Sequence, residues 1–525
     1  MVLMEKKNFL ITNFDLSICL IIYSILAIFS INYYHFNLGT DGISYLSIAE
    51  NYVNGCWSLA INGYWSPLYS WLLTPIIFFD YNVSTAPYVT RIVSLVAGFV
   101  TIISLNRLSL TFNLNRTVKK VLLITSIPMI LFYSIFKDTP DVLAVCLLVY
   151  YFSFIFDENY PNYWINGAIC GFLGGMGFLT KTYIFPFFMV HFLFFNFLYY
   201  FKGLKKNRTG VKKNLIVGLV VFLAISGIWI TTLSLKYDKP TIGTTTEYNH
   251  AIVGPEYGNH PVYSIGLIRP PNPSATSTWE EPSLVKLNDW SPFESREYFE
   301  FQLKLTKDNL LKTAIIFEYY SLLSLAIIFI SLYFILKLKT ERSFKNRLIY
   351  IMLTIFIYSS GYLLIFVEER YLWPAITLMM FCGFYIISTL YKEKNLSLKF
   401  RNIFLVILMV SFIFTPAFEL FIYPSTDNGL YDLSKTLQND YGLQGNIASN
   451  GHWENTLAIS YYLNNQYYGL PKNIIDPVEL KNELIANNIT YYFVWGDSNN
   501  VQVINYNELT NGRIQGLRIY GRTYN

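Results

Sequence analysis

Eleven long apolar stretches constrain this chain of 525 residues more than any other feature of its sequence. A helix needs roughly 20 apolar residues to cross a bilayer core about 30 Å thick, and each stretch comes near that length. We therefore predict a mainly α-helical, polytopic membrane protein with about eleven transmembrane helices. They are placed near 15–33, 88–105, 121–136, 141–156, 163–180, 183–201, 214–235, 313–336, 348–367, 371–391 and 402–423.

Composition agrees with this plan and excludes other classes of protein. Hydrophobic residues make up 53% of the chain and charged residues 14%, whereas soluble domains carry about 25% charged residues. The net charge of +5 is too small to indicate a nucleic-acid-binding protein. Five scattered cysteines without a CxxC motif predict neither a disulfide framework nor a zinc site.

The distribution of Lys and Arg predicts the orientation, because cytoplasmic loops carry an excess of positive charge. No Lys or Arg occurs between residues 8 and 90. A group of 21 Lys and Arg residues lies at the N-terminus and in the segments 107–120, 202–213, 337–347 and 392–401. These segments should face the cytoplasm, so the loops 34–87 and 236–312 and the C-terminal tail should be extracytoplasmic.

The tail predicts a small extracytoplasmic α/β domain at 424–525, after a transmembrane domain at 1–423. Short β-branched and aromatic runs alternate in it with helical patterns that have an acidic first turn. The expected elements are strands at 445–450 and 490–495 and helices at 454–465 and 476–488.

Two segments of the first outer loop should form interfacial helices. The segment 40–55 has apolar and polar positions at helical spacing, and 61–79 is aromatic and apolar with Pro67 near a helix start. Trp and Tyr rings favour the membrane interface, which is where we expect both segments to lie. The alternative is one imperfect transmembrane hairpin.

Ionisable residues near the outer ends of several spans form the candidate site. Inserting such a residue at membrane depth costs roughly 2.5–3.5 kcal/mol, so residues of this kind usually have a function. Because they come from distant parts of the chain, we expect them to meet in one outer pocket. For any one of them, the alternative is a charge that marks a wet helix end. They are Asp41, Arg91, Lys137, Asp138, Asp141, Lys181, Glu368, Glu369 and Arg370.

Four local patterns resemble the GT-C glycosyltransferases, in particular the protein O-mannosyltransferase and aminoarabinose-transferase group. Asp41 follows the first span in DGISYLSIAENYVNG, and an acid opens the fourth span in KDTPDVLAVCLLVYY. Lys181 stands in GFLTKTYIFPF and Arg370 in EERYLWPA, which resembles the family's Arg-Tyr-Leu-x-Pro pattern. The resemblance covers roughly residues 1–400. It departs from many relatives in the first loop, where this chain has Asp41-Gly42 instead of two acids.

The resemblance implies an inverting transfer of a sugar from a polyprenyl-phosphate carrier to an acceptor hydroxyl. Asp41 would be the base that draws off the hydroxyl proton. Lys181 and Arg370, with Arg91 as a weaker candidate, would stabilise the departing phosphate. Either Asp138 or Asp141 would position a substrate or act as a second acid.

Further residues would support these groups. Glu369 would hold Arg370 in place or contact sugar hydroxyls, and Tyr371 would be a second supporting residue. Trp57, Tyr64 and Trp65 are candidates for contacts with a sugar or acceptor. For these three aromatic residues, an interfacial belt is the alternative interpretation.

No cofactor is firmly implied. A divalent metal is not expected, although Asp138, Asp141 and Glu369 could share one. The expected partners are the lipid-linked donor, a lipid, glycan or protein acceptor, and the bilayer, without nucleic acid. The expected location is the plasma membrane of a bacterium or archaeon, with the active site and C-terminus outside.

Three other functions stay open on the sequence. A polysaccharide polymerase or ligase would rely on Arg or His in a large outer loop, where Arg269 and Arg296 occur. A transporter or flippase would need polar residues at mid-bilayer, whereas most charges here lie at outer ends. An inactive relative could use its outer domain only to bind a partner.

Overall fold

The structure is a computed structural model that describes residues 2–34, 38–79, 82–202, 207–257, 260–337, 341–422, 429–496 and 503–523. Its chain forms two compact units, and several segments of the sequence contribute to each. The first unit consists of residues 1–32, 92–232 and 292–424, and the second of residues 33–91, 233–291 and 425–525.

Helices dominate the described residues, and one small sheet accompanies them. The helices are α1 Val2–Tyr34, α2 Thr40–Val53, α3 Trp57–Ala60, α4 Pro67–Phe79, α5 Ala86–Thr111, α6 Arg116–Phe136, α7 Asp141–Ile155, α8 Trp164–Thr180, α9 Ile184–Lys202, α10 Arg208–Lys236, α11 Thr245–Ile252, α12 Arg296–Tyr320, α13 Ser324–Leu336, α14 Arg342–Leu363, α15 Trp373–Lys392, α16 Leu398–Ile422, α17 Gly429–Tyr441, α18 Trp453–Tyr462 and α19 Pro477–Ala486. The strands are β1 Asn446–Ser449, β2 Gln466–Tyr467, β3 Tyr491–Trp495, β4 Tyr506–Glu508 and β5 Leu517–Arg522.

Seven helices in the described part of the chain are long and apolar enough to cross a membrane, or eight if a bent pair counts as one span. The seven lie in α1, α5, α6, α9, α10, α15 and α16. This confirms a mainly helical, multi-pass membrane protein. Two further predicted spans form the shorter apolar helices α7 and α8, of 15 and 17 residues, and another lies in α14. The count of about eleven therefore remains a prediction.

The prediction of one continuous span at 313–336 is wrong. Helices α12 and α13 meet there at an angle of 105°. Ser321 takes an extended backbone conformation at the break. Its Oγ accepts the N–H of Leu323 at 3.2 Å and lies 2.6 Å from Oγ of Ser411. These hydrogen bonds replace helical ones, which lets the chain turn without a Pro or Gly.

The orientation stays a prediction. Some of the cations on which it depends, Lys205, Lys206 and Lys339, lie outside the described residues, as do the side chains of Lys6, Lys7 and Lys202. The predicted domain boundary at 423/424 also lies outside them.

The first outer loop forms helices where they were expected. The predicted helix at 40–55 is α2, and α4 begins at Pro67 as predicted for the segment 61–79. The two pack together: Ser70 donates a hydrogen bond to the carbonyl of Tyr45 at 2.9 Å. All residues from 42 to 49 are buried, so α2 is more enclosed than an amphipathic surface helix would be.

A five-stranded sheet in the order β2-β1-β3-β5-β4 forms the core of the tail. Strands β2, β1 and β3 are parallel, and β5 pairs antiparallel with β3 and β4. The predicted strands and helices of the tail correspond to β1, β3, α18 and α19, whereas β2, β4 and β5 were not predicted.

The second outer loop is attached to this sheet. The N–H of Tyr467 donates to the carbonyl of Thr276 at 2.6 Å, and the N–H of Ile268 donates to the carbonyl of Tyr468 at 2.9 Å. Leu267 of the loop also packs into the hydrophobic core beside the sheet. The loop and the tail therefore form one structural element of the second unit.

Candidate functional site

Three predicted charged residues form one cluster in the first unit. Asp141 is the first residue of α7, Lys181 directly follows α8, and Arg370 lies in the 3₁₀ turn Glu369–Leu372 before α15. The ammonium group of Lys181 donates to Oδ1 of Asp141. Nη1 of Arg370 lies 4.0 Å from Oδ2 of the same carboxylate, and Thr139 donates to that oxygen from 2.5 Å. One carboxylate thus holds two cations.

The cluster is largely enclosed by protein. The side chains of Asp141, Lys181 and Arg370 are 3%, 19% and 15% exposed. Burial lowers the pKa of Lys181, which lies in the turn between two apolar helices, and the charge of Asp141 opposes that effect. Glu368 accepts from Nε of Arg370 at 2.7 Å but is 40% exposed, so water screens its charge. Asp141 is therefore the enclosed carboxylate that lies beside both cations.

Tyr371 lies beside both cations. Its ring centre is 4.3 Å from Nζ of Lys181 and 5.4 Å from the guanidinium carbon of Arg370. Cation–π contacts of this kind hold a cation in place without neutralising it. The ring of Tyr371 therefore helps to hold both positive groups in position.

Glu369 has a different environment from the one predicted. It accepts a hydrogen bond from the hydroxyl of Tyr320. That hydroxyl also accepts from Nε1 of Trp373 at 2.8 Å, and Trp373 stacks on Tyr133 at 4.1 Å. The hydrogen bond that the structure gives Glu369 thus belongs to an aromatic network, while Arg370 pairs with Glu368 and Asp141.

The sequence left open whether Asp138 or Asp141 is the second functional acid. Both are buried, at 3% exposure. Asp141 forms the ion pairs described above, and Asp138 lies in the turn before α7. Asp141 therefore contacts the cations, and which of the two acids is the second functional one stays a prediction.

Asp41 belongs to the second unit, in the first turn of α2. Nε1 of Trp279 donates to its Oδ1 at 3.1 Å. The carbonyl of Trp279 in turn accepts from Nε1 of Trp65 at 3.0 Å and from Oγ of Ser44 at 3.4 Å. The carboxylate of Asp41 is therefore held by a side chain whose own position is fixed by hydrogen bonds.

The predicted aromatic residues have two different environments. The rings of Tyr64 and Trp65 pack on Trp279 at 5.8 and 5.9 Å. Trp57 is 65% exposed and contacts the ring of Tyr52 at 5.7 Å. Tyr64 and Trp65 therefore support the residue that contacts Asp41, whereas Trp57 lies on the surface of the unit.

Sequence reasoning missed the two acids that follow Trp279. Glu280 is 4% exposed and accepts the N–H of Thr276 at 2.5 Å, and burial raises its pKa to about 8. Glu281 accepts from Lys236 at 3.0 Å and from the hydroxyl of Tyr237. Both acids anchor the 3₁₀ turn Thr278–Glu280 that carries Trp279. The only signal in the sequence was a pair of acids in a polar loop.

The remaining candidates are distributed as follows. Arg91 is buried in α5, with 1% exposed, in the second unit. The loop arginines that a polymerase or ligase would need are exposed: Arg269 lies on the surface, and Arg296 forms a surface pair with Glu300. Within the part of the chain that the structure describes, no group of three His, Cys, Asp or Glu residues could hold a metal ion.

Comparisons with known proteins agree with this picture. Residues 66–230 match the family model described as dolichyl-phosphate-mannose-protein mannosyltransferase. No curated protein matches the sequence.

The chain is similar to three solved structures, which belong to two proteins. The Archaeoglobus fulgidus oligosaccharyltransferase in complex with Zn and sulfate is 12% identical, with a TM-score of 0.53 over 91% of this chain and 68% of that one. ArnT from Cupriavidus metallidurans bound to undecaprenyl phosphate is 11% identical, with a TM-score of 0.55 over 97% and 98%. ArnT in the apo state is also 11% identical, with a TM-score of 0.52 over 96% and 97%. At such identities the likeness is one of fold.

Proposed function

We propose that the chain, whose fold is that of the GT-C membrane enzymes it resembles, is a membrane glycosyltransferase that moves a sugar from a polyprenyl-phosphate carrier to an acceptor hydroxyl. Two comparisons support a carrier of this class. The description of the matching family model includes a dolichyl-phosphate-linked sugar, and one similar structure contains undecaprenyl phosphate. Both lipids are polyprenyl phosphates.

The observation that carries the proposal is the pairing of Lys181 and Arg370 with the enclosed carboxylate of Asp141. When the bond between sugar and phosphate breaks, the phosphate gains a negative charge. Cations in a partly dry site stabilise such a charge far better than water-exposed cations do. The planar guanidinium of Arg370 can hold two phosphate oxygens, and Lys181 adds a point charge.

Asp41 is the proposed base. An acceptor hydroxyl is a poor nucleophile until its proton is drawn off, and a carboxylate does this if it is held at the right place. The hydrogen bond from Trp279 restricts the carboxylate of Asp41 to one orientation. This contact supports a role of Trp279 in positioning the proposed base. It involves one carboxylate oxygen of Asp41 and leaves the second oxygen to other partners.

A single displacement follows from these roles. The activated hydroxyl oxygen attacks the anomeric carbon, a new C–O bond forms, and the bond to the phosphate oxygen breaks with its electron pair on the phosphate. The proton passes from the hydroxyl to Asp41. Since the attack comes from the side opposite the phosphate, the anomeric configuration inverts.

We also propose that the reaction takes place on the extracytoplasmic face, with 1–423 as the transmembrane domain and 424–525 as the outer domain. The positive charges of the predicted cytoplasmic loops support this orientation. Labelling of single cysteines introduced at 369 and at the exposed position 137 tests it, because both positions should react from outside.

A turnover assay tests the mechanism. The full-length protein in nanodiscs receives undecaprenyl-phosphate-linked radiolabelled hexoses and pentoses, with cell-envelope extract as the acceptor. Release of undecaprenyl phosphate should fall on the order of 10²- to 10⁴-fold in Asp41→Asn. It should fall on the order of 10²- to 10³-fold in Lys181→Met. The anomeric signals of donor and product in an NMR spectrum report inversion.

Lys239 provides a matched control. It also pairs with an acid, Glu247, but both side chains are about half exposed, at 47% and 53%. Lys239→Met should therefore leave turnover unchanged. Wild-type rates in both Asp41→Asn and Lys181→Met would show that the proposed mechanism is wrong.

A further inference from the structure

A partly open cleft lies within the second unit, between its outer loop and its α/β domain. About 480 Å³ of space lies in it, part of which is open to solvent. Six of its sixteen lining residues are aromatic: Tyr248, His260 and Trp279 come from the loop, and Trp453, Tyr467 and Tyr468 from the domain. None of the catalytic roles proposed above uses this cleft. Pockets with aromatic walls and a few polar groups are the usual form of a small-molecule site.

His260 supplies a polar group that has no partner in the structure. Its ring lies between Trp453, stacked at 5.0 Å, and Trp279, tilted at 5.0 Å. Nδ1 accepts the N–H of Val262 at 3.3 Å, so a neutral ring carries its proton on Nε2. Nε2 is buried and finds no hydrogen-bond partner among the described residues. A ligand oxygen that accepts a hydrogen bond from such a buried donor therefore stabilises the complex.

The position of the cleft on the sheet agrees with this interpretation. Strands β2, β1 and β3 are parallel, so their carboxyl ends lie at the same edge of the sheet. Ligands of open α/β sheets bind outside the carboxyl ends of the strands. Trp453 at the start of α18, which follows β1, and Tyr468 and Gly469 after β2 line the cleft at this edge.

The cleft also adjoins the proposed base. Trp279 forms one wall of the cleft and donates its indole N–H to Asp41. A ligand that packs against Trp279 is therefore next to the residue that holds the base. This relation favours the acceptor over any ligand unrelated to the reaction.

We propose that this cleft binds a sugar ring of a glycan acceptor, an inference that rests on the proposed transferase function. The C–H faces of a pyranose carry partial positive charge and stack on the negative faces of aromatic rings. The Nε2–H of His260 donates to a ring hydroxyl. An acyl chain would make no use of that donor. The acceptor is thus a saccharide, and its reacting hydroxyl extends from the cleft towards Asp41.

Saturation-transfer NMR tests the proposal. The full-length protein is placed in nanodiscs without sugar detergents and without donor lipid. The probes are trisaccharides of glucose, mannose, galactose and N-acetylglucosamine, and dodecyl phosphate. At least one trisaccharide should receive saturation from the protein. Its binding should weaken roughly tenfold in Trp453→Leu and in His260→Phe, because each variant removes one contact with the ring.

His250 provides the matched control, because it also stacks on a tryptophan, Trp290, at 4.5 Å but does not line the cleft. His250→Phe should bind the trisaccharide like the wild type. Melting curves of all three variants show whether they are folded.

Two results would overturn the proposal: trisaccharide binding that the cleft variants do not weaken, or no binding of any trisaccharide. Binding of dodecyl phosphate that Trp453→Leu and His260→Phe weaken would assign the cleft to an acyl chain and overturn the proposal as well. Because no donor is present, the test is separate from the turnover assay. Trisaccharide binding without any turnover would refute the proposed transferase mechanism but not the proposed saccharide site in the cleft.

Discussion

The indole nitrogen of Trp279 donates a hydrogen bond to the carboxylate of Asp41 over 3.1 Å, although the two residues are 238 positions apart. Asp41 was identified from its own surroundings in the sequence, whereas no pattern indicated Trp279. The proposed base and the residue that orients it therefore come from two different loops of the same unit.

Trp279→Phe should lower kcat of the transfer roughly 10- to 100-fold. A hydrogen bond to a charged group contributes about 1.5–3 kcal/mol, and its loss frees the carboxylate of Asp41 to rotate. The effect should appear mainly in kcat, with a smaller change in KM for the donor. Steady-state kinetics with the labelled donor measures both. Trp290→Phe serves as the control, because Trp290 donates to a backbone carbonyl, that of His250. Equal losses in both variants would contradict a positioning role of Trp279.

Arg370→Lys should lower turnover roughly 10- to 100-fold. The guanidinium reaches Glu368 through Nε and Asp141 through Nη1. An ammonium group lacks this planar arrangement of donors. The loss should be greatest in the release of undecaprenyl phosphate. Arg296→Lys is the control, since Arg296 is 91% exposed and pairs with Glu300 on the surface. Full activity of Arg370→Lys would show that a point charge is sufficient there.

Gly171→Ala should destabilise the first unit by about 1–3 kcal/mol, as overpacking does in well-packed interiors. A Cβ atom at Gly171 would lie 2.1 Å from the carbonyl oxygen of Gly218, so α8 and α10 would have to move apart. Small residues at spacing of four let membrane helices approach closely, and Gly167 and Gly175 continue this series. The measurement is the melting temperature of the full-length protein in nanodiscs.

Gly227→Ala is the control for this prediction. Gly227 also lies in α10, but a Cβ atom there would meet nothing within 4 Å. The substitution should leave the melting temperature unchanged or raise it slightly, because Ala is the better helix former. If Gly171→Ala behaves in the same way, the close contact of α8 and α10 is not needed for stability.

The stability of the protein should depend on pH through Glu280. Burial raises the pKa of this carboxyl from 4.5 to about 8. Between these values the folded chain keeps a proton that the unfolded chain has lost. The free energy of unfolding therefore falls as pH rises from about 4.5 to about 8 and levels off above that. One pKa unit corresponds to about 1.4 kcal/mol, so the contribution is a few kcal/mol.

Glu280→Gln isolates this contribution, because it keeps an oxygen that can accept the N–H of Thr276 but does not titrate. Unfolding curves at pH 5 and pH 8.5 should show a smaller pH dependence for the variant than for the wild type. Glu256→Gln, which changes an exposed carboxylate that accepts from Asn288, should keep the dependence of the wild type. An unchanged pH dependence in Glu280→Gln would contradict the assignment.

Much of the fold was predictable because local patterns carry it. Apolar length identified the membrane helices, Pro67 marked the start of α4, and alternating patterns identified β1, β3, α18 and α19. The break between α12 and α13 was missed because Ser321 and its neighbours contain no helix breaker. The hydrogen bond to Ser411 that stabilises the break comes from a helix 90 positions away.

The candidate site was predictable only in part. The sequence indicated Asp141, Lys181 and Arg370 as unusual charges, and the structure places all three in one cluster. It did not indicate Trp279 or the buried Glu280, because an aromatic residue and an acid in a polar loop look like ordinary surface residues. Their burial results from the attachment of that loop to the sheet.

The sequence by itself determined that the chain crosses a membrane many times. It also indicated which charged residues cost so much free energy at membrane depth that a function is expected of them. Both follow from the sequence because the energy of burying apolar and charged groups depends mainly on residue type. Only the tertiary structure decided which cation pairs with which carboxylate and where α12 ends and α13 begins. It also decided that aromatic rings of the loop 236–312 and of the tail line a cleft. These features depend on contacts between residues far apart in the chain, and such contacts are set by packing.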